Sequence, residues 1–383
     1  MRALSYFSGV LKNRRGFADQ PHFLTYCVTY RCNAKCIMCD SWKKPAVEEL
    51  TQQEIERILR QLPRLDGVRL TGGEPFLRAD LPEIAALVQG LIRPLFLHIT
   101  STGFFTERVV RFCESRQPDL PLHLLISLDA MNGKHDAIRR ASSAWDRATQ
   151  TLKALAPRQK ELNISVAVNQ TILDQEGMED YKKLHEFCGR NGLRHNAVLA
   201  YDGNAIYDEN PEVVRRSPAG PYLSTWGKFS RADLEAWLSE VQADLDASPS
   251  LATAAKRYYM AGIRGRTLEN RMRPNPACVA LSSHLRLLPD GGIPVCQFNS
   301  TIVGNLRKAP FEEIWKSERA GQGRAWVRQC RGCWAECEVI PNAVYSGDII
   351  KHLLSEPRWI FRSLGKSIFA PLSRYGRAWG QDH

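Results

Sequence analysis

Six short apolar runs, separated by longer stretches with helical spacing, constrain the fold of this chain more than any other feature. The runs are "FLTYCVTY" (23–30), "GVRL" (67–70), "LFLHIT" (95–100), "LHLLIS" (122–127), "ISVAVN" (164–169) and "NAVLA" (196–200). Strands that alternate with helices form parallel sheets, because the chain must cross back over the sheet between neighbouring strands. The pattern predicts an α/β fold whose parallel sheet is either doubly wound or curled into an incomplete barrel.

The stretches between the runs carry helix signals. Thr51 and Glu54 form a capping box ahead of an apolar stripe that includes Ile55, Ile58 and Leu59. Further helices are predicted over 81–91, 106–115, 145–156 and 178–191. In parallel barrels the chemistry lies in the loops that follow the carboxyl ends of the strands. Functional residues are therefore expected directly after the apolar runs.

The rest of the chain divides by composition. Residues 1–20 form a basic N-terminal segment and 21–200 the barrel. Residues 201–277 form a connecting or lid segment, with a helical stretch over about 231–260. A cysteine-rich domain covers 278–345, where the turn at 289–292 predicts a hairpin between two apolar runs. A basic amphipathic tail, 346–383, ends the chain.

Composition limits the class of protein. The chain has 383 residues, of which 44% are hydrophobic and 24% charged, as in ordinary globular proteins. No apolar run approaches the ~20 residues of a membrane span, and the start lacks the apolar core and cleavage site of a signal peptide. A cytoplasmic location is predicted, where thiols stay reduced, so the eleven cysteines indicate metal ligation rather than disulfides.

Three cysteines follow the first apolar run as C-x3-C-x2-C, namely Cys32, Cys36 and Cys39. A structural zinc site normally has four ligands, and no fourth cysteine or histidine follows within this loop. In a four-iron cluster, three thiolates leave one iron open to bind another molecule. The spacing therefore favours an iron–sulfur cluster with a vacant position, with zinc as the alternative.

A second group contains Cys278, Cys296, Cys330, Cys333 and Cys337. Four thiolates in a small module also suit zinc, so spacing alone leaves zinc and an iron–sulfur cluster equally open here. The other three cysteines, Cys27, Cys113 and Cys188, lie among apolar neighbours and are expected to be buried and inert.

The first cysteine loop, "CNAKCIMC", and the motif "LTGGEPFLR" (70–78) after the second run together resemble the radical S-adenosylmethionine (SAM) enzymes. The resemblance implies a partial (β/α)6 TIM-like barrel and a [4Fe–4S] cluster whose open iron is chelated by SAM. Reductive cleavage of SAM then yields a 5′-deoxyadenosyl radical, which abstracts a substrate hydrogen. Gly72, Gly73, Glu74 and Pro75 match the motif that binds the methionine amino group.

Weaker matches extend the resemblance to further SAM contacts. Met38 would pack near adenine, and Ser127 and Asp129 would lie near the ribose or the substrate. Arg139 would contact the SAM carboxylate, with a solvated helix charge as the alternative, and Asn169 would make a polar contact with SAM. Thr102 stands where many members of the family have asparagine.

The second cysteine group resembles the SPASM/twitch extension of the same enzymes, through C-x12-G-x4-C followed by C-x2-C. The resemblance implies one auxiliary [4Fe–4S] cluster bound by Cys278, Cys296, Cys330 and Cys333. Cys337 would be the spare thiol, with an exchange of roles with Cys330 or Cys333 as the alternative. Four thiolates leave no open iron, which favours electron transfer, and a spare thiol near the active site would instead donate hydrogen to a substrate radical.

The implied function is oxidation (dehydrogenation) or epimerisation of a small-molecule, sugar-like or lipid-linked substrate. One alternative is a SPASM-type maturase of a ribosomally made peptide. An alternative of another class is a zinc-stabilised binding module without catalysis.

The net charge of +11 favours acidic partners, and an acidic electron donor such as flavodoxin or ferredoxin fits best. Nucleic acid is not a predicted partner, because the basic residues are spread along the chain without a recognisable module. Leu4, Phe7 and Leu11 form a helical stripe beside basic residues, and the C-terminal tail is similar. Both segments are expected to pack on the barrel, with peripheral contact to an anionic membrane as the alternative.

Overall fold

The six predicted strands and a seventh form one sheet in the computed structural model, which describes residues 2–15, 20–201, 229–248 and 250–355. The neighbours in the sheet follow the order β6-β5-β4-β3-β2-β1-β7, and every adjacent pair is parallel. The strands are β1 (Phe23–Thr29), β2 (Gly67–Gly72), β3 (Phe96–Ser101), β4 (Leu122–Ser127), β5 (Ile164–Ile172), β6 (Arg194–Leu199) and β7 (His284–Leu287). The predicted α/β partial barrel is confirmed, with one strand more than predicted.

Helices connect these strands and cover the outer face of the sheet. The predicted capping box at Thr51 is present, and Ile55, Ile58 and Leu59 are buried beneath it. The first group of helices is α1 (Arg2–Arg14), α2 (Gln52–Leu59), α3 (Leu81–Leu87), α4 (Thr106–Ser115), α5 (Asn132–Arg139), α6 (Ala144–Leu155) and α7 (Gln175–Arg190). The second group is α8 (Arg231–Ala247), α9 (Leu251–Leu268), α10 (Phe311–Lys316), α11 (Glu318–Gln329), α12 (Glu336–Tyr345) and α13 (Asp348–Ser355).

Two local predictions were wrong. The helix expected over about 231–260 is two helices, because Ser250 and Thr253 form a capping box that starts α9. The hairpin expected around 289–292 does not form, because β7 pairs with β1 of the main sheet. The strand after the turn, β8 (Gly292–Cys296), pairs instead with β9 (Asn299–Asn305) in an antiparallel ladder. The free edge of β1 thus receives a partner for its backbone groups.

The two faces of the sheet differ in character. On β2, β3 and β4, every second residue packs against the covering helices in the main apolar core. Each of these residues is 0% exposed: Val68, Leu70, Leu97, Ile99, Leu122 and Leu124. Because successive side chains point to opposite faces of a strand, the residues between them face the inside of the curved sheet. Arg69, His98 and His123 occupy such positions.

Helix α12 makes contacts with both edges of the sheet. On the β7 side, the Glu338 carboxylate pairs with the Arg286 guanidinium and lies 3.3 Å from Nδ1 of His284. On the β6 side, Nδ2 of Asn196 donates to Glu336 over 3.0 Å. The helix therefore bridges the gap between the two edge strands of the open barrel, β7 and β6.

The N-terminal helix packs on the end of α12. Tyr6 donates its hydroxyl to the Val344 carbonyl at 2.8 Å, and Nε of Arg14 donates to the Ser346 carbonyl at 2.9 Å. Phe7 and Leu11 of the predicted stripe remain 56% and 54% exposed, so the expectation that this stripe packs on the barrel was wrong for these two residues.

The tail predicted to be amphipathic, from residue 356 onward, lies outside the described residues. Within those residues, no helix is both long enough and apolar enough to span a membrane.

Replacing Glu338 by glutamine should destabilise the protein strongly. The substitution leaves the buried Arg286 guanidinium without its carboxylate, which we expect to lower the free energy of unfolding by about 3 kcal/mol. Chemical denaturation followed by circular dichroism measures this change. The control Glu312→Gln removes an exposed carboxylate paired with Lys316 and should leave the denaturant concentration at the midpoint of unfolding unchanged. Equal midpoints for both variants would contradict a bridging role for α12.

Candidate functional site

The residues predicted to bind SAM and the first cluster gather at the carboxyl edge of the sheet. The cysteine loop follows β1, and the "GGEP" motif begins at the last residue of β2. Thr102 follows β3, and Asp129 lies two residues beyond β4. Asn169 lies within β5, which extends to Ile172, and it is the register partner of Ser127. The rim of the barrel is therefore the candidate active site.

The "GGEP" motif is tied to the start of the cysteine loop by backbone hydrogen bonds. The N–H of Gly73 donates to the Thr29 carbonyl at 2.8 Å, and the N–H of Glu74 donates to the Arg31 carbonyl at 2.8 Å. A Cβ added to Gly73 would lie 2.2 Å from the Arg31 carbonyl oxygen. The glycine is thus required because two backbones pass each other closely here.

The Glu74 carboxylate is a buried acceptor that joins the ends of β2 and β3. It accepts from the N–H and the hydroxyl of Thr102, at 2.6 and 2.8 Å, from the hydroxyl of Ser101 at 2.9 Å and from the N–H of Phe76 at 3.0 Å. Burial raises the pKa of this carboxyl, and the hydrogen bonds oppose the rise. Threonine at position 102 therefore supplies a polar contact, to Glu74 itself.

Helix α5 holds the other side of the cysteine loop. The N–H groups of Lys35 and Ile37 donate to the carbonyls of Arg139 and Ile138, each at 3.0 Å. Arg139 is only 7% exposed, so it is not a solvated helix charge. Its guanidinium pairs with both oxygens of Asp129, at 2.6 and 2.9 Å, and its Nη1 lies 3.5 Å from the sulfur of Cys36.

The other sulfurs of the predicted ligands share one feature, a hydrogen bond from the backbone N–H two residues later. For Cys296 and Cys330 the donors are Phe298 and Gly332, each 3.4 Å from the sulfur. The same pattern links Cys32 to Ala34, Cys39 to Ser41, Cys278 to Ala280 and Cys333 to Ala335. Hydrogen bonds to sulfur stabilise the thiolate, the form that binds metal.

Two other cysteines behave differently. The Cys337 thiol donates to Oε1 of Gln297 at 2.9 Å, and the Cys27 thiol donates to the Thr29 carbonyl at 3.5 Å. The partner at sulfur, a side-chain oxygen rather than a backbone N–H, therefore distinguishes Cys337 from the four cysteines predicted to bind the auxiliary cluster.

Burial raises the pKa of six predicted ligand thiols: Cys32, Cys39, Cys278, Cys296, Cys330 and Cys333. Burial raises the pKa of Cys32 to about 12 and that of Cys39 to about 11. Burial and the charges of Glu338, Cys278 and Cys296 raise the pKa of Cys333 well above its usual value. A bound cation is the group that would replace these protons.

The donor set fits thiolate-bound iron–sulfur clusters. Besides the N–H groups aimed at sulfur, Nδ2 of Asn33, inside the first cysteine loop, is buried and has no hydrogen-bond partner among the described residues. In the described part of the chain, no three His, Cys, Asp or Glu side chains are gathered closely enough to hold a single metal ion.

The structure also brings residues to the site that the sequence did not single out. Nε2 of Gln297 donates to the hydroxyl of Tyr201, two residues after β6, so that Cys337, Gln297 and Tyr201 form a hydrogen-bonded chain. Nζ of Lys256 pairs with Oε1 of Glu336 at 2.7 Å. Met38, which the sequence predicted near adenine, packs in an apolar cluster with Ile138.

A cavity of about 650 Å³ lies away from this rim. Its lining comes from the C-terminal halves of α3 and α4 and from the segments just before β3 and β4, including Gln89, Arg116 and Asp119. Because these segments precede the strands, the cavity opens at the edge opposite the cysteine loops and belongs to a different surface.

Comparison with known proteins agrees with the geometry at the rim. The model of the radical SAM superfamily matches residues 26–188, and that of an iron–sulfur cluster-binding domain, SPASM, matches residues 278–334. The GTP 3′,8-cyclase of Mycobacterium marinum is 30% identical over 329 residues, which cover 79% of this chain and 81% of the relative. The AdoMet-dependent heme synthase of Oleidesulfovibrio alaskensis is 23% identical over 315 residues, 78% of this chain and 75% of the relative.

Solved structures show the same fold. Streptococcus suis SuiB bound to its precursor peptide SuiA superposes with a TM-score of 0.57 at 16% identity, over 83% of this chain and 70% of that one. The enzyme anSMEcpe with bound AdoMet gives a TM-score of 0.56 at 12% identity, over 93% and 98%. The chain belongs to the radical SAM superfamily and carries a SPASM-type iron–sulfur domain, with S-adenosylmethionine and [4Fe–4S] clusters as its cofactors.

Proposed function

We propose that this enzyme abstracts a hydrogen atom from a small polar substrate inside the barrel and returns a hydrogen from Cys337, so that the net reaction is an epimerisation. The observation that carries the proposal is the direction of the hydrogen bonds at sulfur. Six predicted ligand sulfurs accept a backbone N–H, whereas the Cys337 thiol donates to Gln297.

Cys32, Cys36 and Cys39 would hold the cluster at the rim, and the residues predicted to contact SAM surround the same loop. When bound, the reduced cluster and SAM supply a 5′-deoxyadenosyl radical that abstracts hydrogen from the substrate. Arg139 orients the loop, since its guanidinium reaches Cys36 while Asp129 fixes it from the other side. Gly73 and Glu74 hold the loop against β2.

Cys278, Cys296, Cys330 and Cys333 would bind the auxiliary cluster. Burial is the largest cause of the raised pKa of Cys278 and Cys296, so a cluster bound there would be held away from water. Four protein thiolates leave no open iron, so this group suits electron transfer rather than substrate binding. Dehydrogenation, with the second electron passed to this group, is therefore the second candidate function.

Cys337 supplies the hydrogen atom in the proposed reaction. Its S–H bond breaks and a C–H bond forms at the substrate radical, which leaves a thiyl radical that takes up one electron and one proton. Gln297 holds the thiol and is itself held by Tyr201. The electron would come from an acidic donor of the flavodoxin or ferredoxin class, which the net charge of +11 would attract.

A lipid-linked or peptide substrate is a further option that the sequence predicted. The exposed side chains of Phe7, Leu11 and Leu354 would suit contact with an apolar surface. SuiB is solved with its precursor peptide, but likeness at that level of identity shows the fold alone. Peptide maturation therefore stays a prediction of the sequence.

Cys36→Ala should abolish SAM cleavage. The reconstituted protein, given SAM and dithionite without oxygen, should form 5′-deoxyadenosine, and the variant should form at least 100-fold less by liquid chromatography, an order-of-magnitude expectation for loss of a cluster ligand. The control Cys113→Ala changes a buried cysteine of α4 and should keep the activity. Equal product from the Cys36 variant, or zinc in place of iron in the wild type, would refute the proposed cluster site.

Cys337→Ala should keep the auxiliary cluster, whereas Cys333→Ala should lose it. The reason is that the sulfur of Cys333 accepts a backbone N–H while the Cys337 thiol is a donor. Iron analysis and the electron paramagnetic resonance spectrum of the reduced protein distinguish the two variants. If Cys337→Ala loses about four irons and Cys333→Ala does not, the two roles are exchanged and the hydrogen-donor assignment fails.

A further inference from the structure

A row of polar side chains runs across six strands on the inner face of the barrel. Register partners in neighbouring strands lie side by side on the same face. Thr25 of β1 is the partner of Arg286 on one side and of Arg69 on the other. The row continues from Arg69 to His98, from there to His123, and ends at Ser165.

Inner rows of parallel barrels are usually filled by branched apolar side chains, so a row of this composition is unusual. Four of its members carry an arginine or histidine side chain. The guanidinium of Arg194, at the start of β6, joins the row by donating to Ser165 and by lying 3.5 Å from Nδ1 of His123. Arg69, His98, His123 and Arg194 are called the basic belt, in which the two guanidinium groups supply the positive charge.

The belt residues are only partly buried. Arg69, His98, His123 and Arg194 are all partly exposed. By contrast, the residues directly before and after Arg69, His98 and His123 face the helices and are 0% exposed. Residues nearer the rim on the same face are also partly exposed: Thr100, Leu125, Asn169 and Asn196. The partial exposure of both sets of residues indicates an inner space between the rim and the belt, here called the chamber.

Two aromatic rings lie below the belt on the side of the barrel formed by β1, β2 and β3. Phe23 and Phe96 precede Thr25 and His98 by two residues, which puts them on the same face, and their ring centroids are 6.2 Å apart. Gly67 lies between them in register, and a Cβ there would come within 2.6 Å of the Phe96 ring. The absence of a side chain at position 67 lets the two rings meet as a floor.

The carboxylates that reach the belt already have cations of their own. Glu338 pairs with Arg286, and Glu336 pairs with Lys256. The hydrogen bonds described for Arg69 go to neutral acceptors, Nδ1 of His98 at 3.5 Å and the Cys337 carbonyl at 3.3 Å. Burial and the neighbouring guanidinium of Arg194 lower the pKa of His123 to about 4, so this imidazole is neutral and would act in the belt as a hydrogen-bonding group, while the guanidinium groups supply the positive charge.

We propose that the belt of Arg69, His98, His123 and Arg194 binds an anionic group of the substrate, a carboxylate or a phosphate, at the bottom of the chamber. Guanidinium forks match the geometry of both oxyanions. His98 precedes Thr102 at the rim by four residues, roughly 13 Å of extended strand. The substrate is therefore a small anionic molecule whose reacting C–H bond lies within about that distance of its charged group.

This inference rests on the proposed function, since it identifies the substrate class of the same barrel. It can nevertheless fail independently, because anion binding needs neither SAM nor a reductant. The 5′-deoxyadenosine assay tests the radical chemistry, and the binding experiment below tests only the belt.

The test is isothermal titration calorimetry of the anaerobically reconstituted enzyme, in chloride-free buffer, with inorganic pyrophosphate as the phosphate probe and succinate as the carboxylate probe. The wild type should bind at least one probe, and the preferred probe identifies the source of the anion. Arg69→Met should weaken binding about tenfold or more, because a charge-assisted pair is lost. Arg69→Lys keeps the charge and should recover part of the affinity.

Arg111→Met is the matched control, since Arg111 is exposed on the outer helix α4 and its loss should leave binding unchanged. If Arg69→Met does not fold, His123→Phe removes the ring nitrogens from the belt and should also weaken binding. Circular dichroism and iron content must match the wild type for each variant that is scored. No binding of either probe to the wild type, or equal affinity in the belt variants and Arg111→Met, would overturn the proposal.

Discussion

A parallel sheet of seven strands that does not close leaves two strand edges facing each other across a gap, and the covering of that gap determines the rest of the molecule. Unpaired strand edges expose backbone groups that must be satisfied or covered. Helix α12 lies across this gap and contacts side chains of both edge strands, since Glu338 pairs with Arg286 of β7 and Glu336 accepts from Asn196 of β6. The same helix carries Cys337 at its second position. The residue proposed as hydrogen donor is thus fixed by the contacts that complete the barrel.

The cysteine loop at the rim is likewise positioned by contacts with neighbouring segments. The cysteine loop has little regular structure of its own, and its position comes from two neighbours. The "GGEP" segment holds its beginning, and the end of α5 holds its middle. Arg139 then links the loop to the end of β4, because its guanidinium lies beside the Cys36 sulfur and pairs with Asp129. The local geometry at the sulfurs therefore depends on two neighbouring connections, the one after β2 and the one between β4 and the end of α5.

Much of this arrangement could be predicted from the sequence, because it follows from local patterns. Apolar runs predicted six strands, and the cysteine spacing with "GGEP" predicted the rim. The seventh strand could not be found in this way, since "HLRL" pairs with β1 across more than 250 residues of chain, and a turn beside it suggested a hairpin. Likewise, the donors to Glu74 follow from the meeting of β2 and β3, which no single segment contains.

The basic belt did leave a signal in the sequence: the runs "GVRL", "LFLHIT" and "LHLLIS" each contain one basic or imidazole side chain among apolar residues. Buried parallel strands read as continuous apolar runs, which makes such single exceptions informative.

The phenyl floor formed by Phe23 and Phe96 has a consequence for the order of events during turnover. In the described part of the chain, these rings lie below the belt, α12 crosses the gap between β6 and β7, and the cysteine loop lies at the rim above. A substrate that reaches the belt from the rim would pass the cysteine loop before S-adenosylmethionine occupies it. Steady-state kinetics of such an enzyme would then show an ordered sequence, in which the substrate binds before S-adenosylmethionine.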